Sequence, residues 1–559
     1  MTNAVLGENP HVPGHWLLIA VAVVSGALVH GAEIDSTLQM QSRLAAVPDG
    51  GTLEVEKGVY HFFGDHAKMM WLDPSNNQSG EKQVVFPLEG RRNVTIDGGG
   101  STFVFHGRTF PFAATNCTGL VFRNFTVTTR YPSCAGFTVL EKNEKAFKVK
   151  FDDGVCPYVV ENGNMVFQLD GYDVRTVDGR LSLHSLDRLA IFYLMTPDSK
   201  GDKSEFPSTF VGVTPQDLGN GVVMFAYYGD KHPKSVKLPY NVGEKVVVNL
   251  EEKRYRDVFF FEDCENVVVE DVAIDRFGGM GVVGQRSGNI CVRRLKADPP
   301  KGERVSLTAD IIQFINCYGK IDILDCAGGY SLDDWINVHG NYLRVERVEG
   351  RKIHLRAKHV SHQGFFPYRP GDALEFVTAH ERALQATAKV ISVIPGRDAP
   401  VTVCGASRPA LVESDRYLCT VLVDADLPAT VKDGVLVENT TLNPDVTIRG
   451  NHFHDYPNLR LSGRGRYLVE GNRFVRGCSA VTGMDLADYW YESGRISEMT
   501  IRGNTVEDCG GLLFGLSGWR GSDPDLPKIH GRVHLEDNVF KNVRGVKWSP
   551  VGVRDFSVR

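Results

Sequence analysis

Runs of a few alternating apolar and polar residues, closed by Asn-Gly, Asp-Gly or Gly-Gly pairs, recur along most of the chain. That pattern predicts short strands joined by tight turns. Residues 35–47, DSTLQMQSRLAAV, depart from it: their apolar positions have helical spacing behind an Asp-Ser start suited to an N-cap. Next comes PDGGTLEVEKGVYHF (48–62), a turn and two short strands separated by Gly58. A helix in that position covers the open end of a stack of strands.

The same grammar continues in NVTIDGGGSTFVFHG (93–107), NCTGLVFRNFTVTT (116–129), CENVVVEDVAIDRF (264–277), SGNICVRRLKA (287–297) and YGKIDILDCAG (318–328). It returns in VTIRGNHFHD (446–455), YLVEGNRFVRG (467–477), MTIRGNTVEDC (499–509) and VHLEDNVFKNV (533–543). In these last four, Asn451, Asn472, Asn504 and Asn538 hold equivalent places at intervals of 21, 32 and 34 residues. Such a period, with polar corners and side loops of varying length, predicts an all-β, right-handed parallel β-helix of the pectin-lyase-like type. A leucine-rich repeat would need leucine positions and a helical half that are missing, and an immunoglobulin-like sandwich would not keep asparagine in register.

Two segments, about 136–255 and 341–435, alternate apolar and charged residues around Asp-Gly and Glu-Gly turns. They predict two inserted small antiparallel β-barrel domains. The expected organisation is a signal peptide (1–32), the N-terminal part of the helix with its capping helix (33–135), the first insertion (136–255), central coils (256–340), the second insertion (341–435) and C-terminal coils (436–559).

Composition supports β structure, with 58 Gly and 42% hydrophobic residues in 559. A charge of −6, from 62 basic and 68 acidic residues without a long run of either sign, argues against a nucleic-acid partner. The apolar run WLLIAVAVVSGALV, Trp16–Val29, is too short to span a bilayer comfortably and leads into small residues, so it reads as a secretory signal cleaved near Gly31 or Ala32. Against that, residues 1–15 contain no Lys or Arg. Export would leave no stable membrane insertion and a periplasmic, cell-surface or secreted protein. Of the 11 cysteines, Cys117, Cys264, Cys317 and Cys509 each follow Asn or Asp and precede an apolar strand. One recurring slot predicts small buried residues stacked from coil to coil. No CxxC or Cys/His pair at ligand spacing occurs, and neither metal nor cofactor is expected.

The stretch TADIIQFINCYGKIDILDCAGGYSLDDWINVHG (308–340) carries the candidate chemistry. Asp310 and Asp333 are 23 residues apart (333 − 310), about one coil, so they fall on adjacent layers roughly 4.8 Å apart. Asp334 joins them if a corner or bulge turns both neighbouring aspartates to solvent. Crowded carboxylates cannot all ionise at neutral pH, and a protonated acid beside ionised partners can cleave a glycosidic bond. An Asp-rich turn or a calcium site is the plainer reading of an Asp-Asp pair by itself, but the one-coil spacing to Asp310 and the closeness of Asn337 and His339 favour catalysis. His339 and Asn337 lie on the same exit as candidate sugar ligands. Trp335 offers a sugar platform or a core residue. Glu375, in GDALEFV of the second insertion, is a candidate acid or sugar ligand.

The combination of TADIIQFINCYGKI and SLDDWINVHG with the PDGGTLEVEKGVYHF and NVTIDGGGSTFVFHG openings resembles glycoside hydrolase family 110, bacterial exo-α-1,3-galactosidases that remove terminal galactose from blood-group-B-type structures. The resemblance covers nearly all of the chain after the signal. Its specific part is AD…LDDxxNVHG; the openings recur in many pectin-lyase-like β-helices. It implies an inverting, metal-independent hydrolase with catalytic Asp310, Asp333 and Asp334, acting on an oligosaccharide or glycoconjugate bearing terminal α-galactose. A more distant resemblance, to family 28 polygalacturonases, implies Asp333 as the acid and Asp310 with Asp334 as the base; the chain lacks that family's separate GHG and RIK-type motifs. A polygalacturonase-like hydrolase, a polysaccharide lyase and a non-catalytic glycan-binding β-helix are the alternative readings.

Overall fold

The computed structural model describes residues 29–30, 33–153, 156–175, 180–185, 208–227, 240–251, 254–359, 362, 364–396, 418–455, 458–477, 479–488 and 490–559. The segment read as a signal lies outside these residues, apart from Val29–His30, whose backbone pairs with Glu33–Ile34. No helix among the described residues is long and apolar enough to cross a membrane.

The predicted helix forms over Thr37–Ala46. Thr37 N donates to Asp35 Oδ1 at 2.8 Å. Met40 and Leu44, one turn apart, enter the main core, while Gln41 Nε2 donates to the carbonyls of Val84 and Val85.

Behind it the chain winds as a parallel β-helix. One coil comprises Ile312–Ile315, Tyr318–Leu324 and Ala327–Gly328, after which Ile336–Asn341 begins the next layer in parallel register with the first strand. The face built on these first strands continues from Thr109–Thr115 through Phe259–Glu262 and Val282–Gln285 to Leu459–Leu461, Val481–Asp485 and Gly510–Leu516. Asn and Asp hold most of the corners because the turn between faces needs a left-handed residue, as at Asn116 (φ 54°), Asp263 (53°) and Asn316 (48°). Inward positions stack by kind. Phe112 lies 4.7 Å from Phe86 and 4.9 Å from Phe259, ring over ring.

The four recurrent cysteines are all buried. Cys264 lies in line with Cys117 and with Ser287, whose Oγ accepts from Cys264 N at 3.0 Å. At the other corner the register read from sequence becomes a hydrogen-bonded ladder. The backbone N–H and Nδ2 of Asn451 both donate to Oδ1 of Asn472; Asn472 treats Asn504 the same way, and Asn504 treats Asn538.

Both insertions close into six-stranded antiparallel barrels. The first runs from Cys134–Lys142 to Lys245–Asn249, with a three-stranded sheet, Tyr158–Glu161 to Tyr172–Arg175, beside it. The second runs from Leu343–Glu349 to Leu436–Asn439. Its last strand lies beyond position 435 because it pairs with both Leu343–Glu349 and Ala373–Val377 and so completes the barrel.

Candidate active site

The loops that enter Ile312–Ile315 and Ile336–Asn341 deliver the three aspartates. Ile312 pairs with Ile336, so the coil here is 24 residues long (336 − 312). Asp310 therefore faces Asp334, and Ile311 N donates to Asp334 O at 3.1 Å. Asp333 reaches the group from one position earlier, and oxygens of all three carboxylates lie within 4.8 Å of one another. The expectation that both neighbouring aspartates face solvent is corrected. Asp333 keeps a quarter of its side chain exposed, while Asp334 is buried and Asp310 is 2% exposed. A regular strand sends neighbours to opposite faces, and Trp335 takes the inward place, which turns Asp334 outward beneath other segments.

Trp335 is consequently no platform. It is fully buried, donates Nε1–H to Gly328 O at 2.8 Å and meets Phe453 edge-on. Glu375 also takes another role: it accepts from Arg464 and Arg495, which serve Glu438 as well. Two guanidiniums spanning two carboxylates form an ion-pair network under the second barrel.

The environments of the three aspartates differ. Asp333 is paired with Arg254. Asp334 accepts from Asn458 Nδ2 and from Arg460 Nε at 3.2 Å, yet burial, with the Asp333 charge, pushes its carboxyl up to about 7. Burial first, then Asp333 and Asp334, push Asp310 well above the usual carboxylate range. The cluster is thus built to retain a proton near neutrality, on Asp310 or Asp334. Three carboxylates so close could equally surround a cation.

The outward face of the sheet supplies the floor. Gln313, Asn337 and Arg460 form one row across successive layers, and Gln285, Ile315 and His339 form the next. His339 Nδ1 lies 2.9 Å from Gly340 O, which leaves Nε2 to accept from Gln313 Nε2 at 3.2 Å. Gln285 fastens residues 73–79 over this floor, accepting from Ser75 N and donating to Asp73 O. Asn76 then contacts His339 Nε2 and accepts from His362 Nε2 at 2.8 Å. Glu492 arrives because Glu492–Ser493 pairs antiparallel with Gly340 and Asn341. Behind these, buried Asp257, raised to about 7 by burial, accepts from Asn77. Lys82, lowered to about 8 by burial, lies 3.7 Å from the centre of the Tyr255 ring.

Among the buried side-chain atoms here without a hydrogen-bond partner within the protein are the acceptors Gln313 Oε1, Asn337 Oδ1, Glu492 Oε2, Asn77 Oδ1 and His362 Nδ1, the last because His362 donates through its other nitrogen, and the donor Lys82 Nζ. Unfilled acceptors in this number suit a ligand rich in hydroxyl donors. Of the sequence candidates, Asp310, Asp333, Asp334, Asn337 and His339 meet here. Sequence reasoning missed Asn76, Asn77, Arg254, Asp257, Arg460 and Glu492, which come from different coils or from segments outside the repeat. Only the amide pair in PSNNQS offered a cue, and it has no spacing to the aspartates that a motif could carry.

No family model matches the chain. Among curated proteins, α-1,3-galactosidase A of Streptomyces avermitilis is 28% identical over 540 residues, covering 92% of this chain and 80% of that protein. α-1,3-Galactosidase A of Shewanella woodyi is 28% identical, covering 82% and 71%. The chain is similar to α-1,3-galactosidases over most of its length. α-1,3-Galactosidase B of Bacteroides thetaiotaomicron, 24% identical, covers 94% of the chain and 84% of its own length, so the likeness extends through both insertions.

Proposed function

We propose that the chain is an exo-acting glycoside hydrolase that releases terminal α-1,3-linked galactose from blood-group-B-type or linear α-galactosyl glycans. The observation that carries this reading is the carboxylate trio beside unfilled buried acceptors, joined to the likeness to curated α-1,3-galactosidases. Hydroxyls of a neutral sugar pair with Gln313, Asn337 and Glu492. Export, expected from the apolar run at Trp16–Val29, would bring the protein to such glycans outside the cytoplasm.

In this mechanism the proton retained by Asp310 and Asp334 is the one that the leaving oxygen takes. Asp333, paired with Arg254, faces the open side and orients the attacking water. Incubation with an α-1,3-galactobiose and a B-type trisaccharide should yield free galactose, and none should be released from either sugar if the reading is wrong. A rise in ultraviolet absorbance on polygalacturonate would instead identify a lyase.

The reading includes inversion, with β-galactose released first. A second reading rests on the carboxylate spacing: oxygens of the three groups lie within 4.8 Å of one another, closer than the ~6.5–9.5 Å at which an acid and a base carboxyl leave room for water between them and on the side of the ~5–5.5 Å of retaining pairs. With three carboxylates the water can be held to one side by one group while another protonates, which reconciles the short spacing with inversion. Proton NMR in the first minutes distinguishes the two, early α-anomer favouring retention.

The raised carboxyls also fix the direction of the pH dependence. A group required in its protonated form with a pKa of about 7 is available below that pH and lost above it. The kcat/KM for galactose release should therefore fall as pH rises through about 7, and a rate that climbs steadily into the alkaline range would place the proton elsewhere.

A further inference from the structure

We propose that Glu33, His61 and His106 bind a single zinc-class divalent ion that fastens the N-terminal segment to the first coils and to the first insertion. The three residues come from successive turns of the chain. Asp35 bridges in parallel to His61, His61 pairs with Val104, and His106 follows two residues later. His61 Nδ1 and His106 Nε2 stand 2.9 Å apart. The Glu33 carboxylate turns toward both, with Oε1 3.9 Å from His61 Nδ1 and Oε2 3.7 Å from His106 Nε2.

Those two distances are too long for hydrogen bonds. They do suit a shared ion: donors about 2.0–2.1 Å from one tetrahedral zinc lie roughly 3.3–3.4 Å from each other, between the three separations observed. The second shell has the matching chemistry. His106 Nδ1 is hydrogen-bonded to Asp170 of the sheet beside the first barrel, which fixes the imidazole with Nε2 toward the site. Arg130 donates to Glu33 Oε2 at 2.7 Å and holds the carboxylate with Oε1 toward His61 and Oε2 toward His106. Phe63 stacks on the His106 ring at 3.9 Å and excludes water from its far side. Glu33 and His61 are partly exposed and give the ion a way in. A hydrogen-bond chain from Asp170 through His106 to His61 would use three of these side chains, but it gives Glu33 no reason to approach both nitrogens.

The donors are invisible to a search for ligand motifs because they are 28 and 45 residues apart (61 − 33; 106 − 61) and meet only through coil stacking. The test uses tag-free full-length protein, stripped with chelator and titrated with zinc or with cobalt(II) at about neutral pH. Expected are about one tightly held equivalent per chain, a visible ligand-field spectrum of nitrogen-coordinated cobalt, and a higher Tm for the loaded protein. Glu33→Gln and His61→Gln, each at a partly exposed position, should reduce affinity at least tenfold. The proposal is overturned if the wild type retains no stoichiometric metal. It is likewise overturned if the variant carrying both Glu33→Gln and His61→Gln binds as the wild type does, or if binding is lost in D310N instead, which would move the ion to the three aspartates. Galactose release plays no part in these readouts, so failure here leaves the proposed activity standing.

Discussion

Asp310→Asn is expected to lower kcat for galactose release by about 10²–10⁴-fold and, at the same time, to raise the Tm of the protein at pH 8. The two effects share one cause. Asp310 is buried against two other carboxylates, and ionising it there is unfavourable, which is why its carboxyl lies well above the usual range. For a carboxyl raised by folding, the native chain binds more protons than the unfolded one between the two pKa values. Stability is therefore full below the unfolded value near 4 and declines as pH rises through the folded one. At pH 8, above the unfolded value, that cost is felt, and a neutral amide removes it. At pH 4 the variant and the wild type should unfold alike.

Asp334→Asn should lose a similar fraction of activity with a smaller gain in stability, because its carboxylate also accepts from Asn458 and Arg460, and an amide serves those donors less well. Asp333→Asn should not stabilise, since it takes a partner from Arg254. Thermal scans at both pH values and rates on an α-1,3-galactoside check all three. An Asp310→Asn protein that is inactive but less stable at pH 8 would mean that the carboxylate is held by favourable contacts and has no acid role.

What could be read from sequence and what could not divide along the repeat. The β-helix was legible because its corners demand left-handed residues, so that Asn and Asp return in register and the coil length follows from their spacing. The site was legible as far as that spacing reached. A coil taken as 23 residues pairs Asp310 with Asp333, and the actual 24 pairs it with Asp334. One residue is enough to exchange the exposed and the buried carboxylate, because side chains alternate between faces. The same alternation sent Trp335 inward, and no local pattern distinguishes an inward Trp from an outward one beside a bend. Glu375 sits in an ordinary barrel strand, and what decides its role is Arg464 and Arg495, about 90 and 120 residues later. Asn76, Arg254 and Glu492 belong to segments with no period at all. Their convergence is a property of the assembled coils, as is that of Glu33, His61 and His106.

Asn472→Ala is expected to be the most damaging single change outside the site, lowering the unfolding free energy by about 3–5 kcal/mol. Asn472 Oδ1 accepts both the N–H and the Nδ2 of Asn451, and its own Nδ2 donates to Ile448 O and to Asn504 Oδ1. Alanine leaves two donors of Asn451 and one carbonyl unsatisfied in the interior. Each buried polar group stranded in this way costs about 1–3 kcal/mol, and the small cavity offers at most one water to restore them. Leucine fills the volume but serves none of those groups, so Asn472→Leu should be no better. That comparison separates lost hydrogen bonding from lost packing. Arg473→Ala, next door and exposed, removes only a surface ion pair with Glu507 and should cost less than about 1 kcal/mol. Because coils of a repeat can unfold separately, hydrogen exchange over 446–541 is the sharper measurement, with lost protection expected to spread from Asn472 to the coils on both sides. Galactose release measured well below the transition should be unchanged. If Asn472→Leu is as stable as the wild type, the ladder only fills space, and the regular return of asparagine needs a different cause.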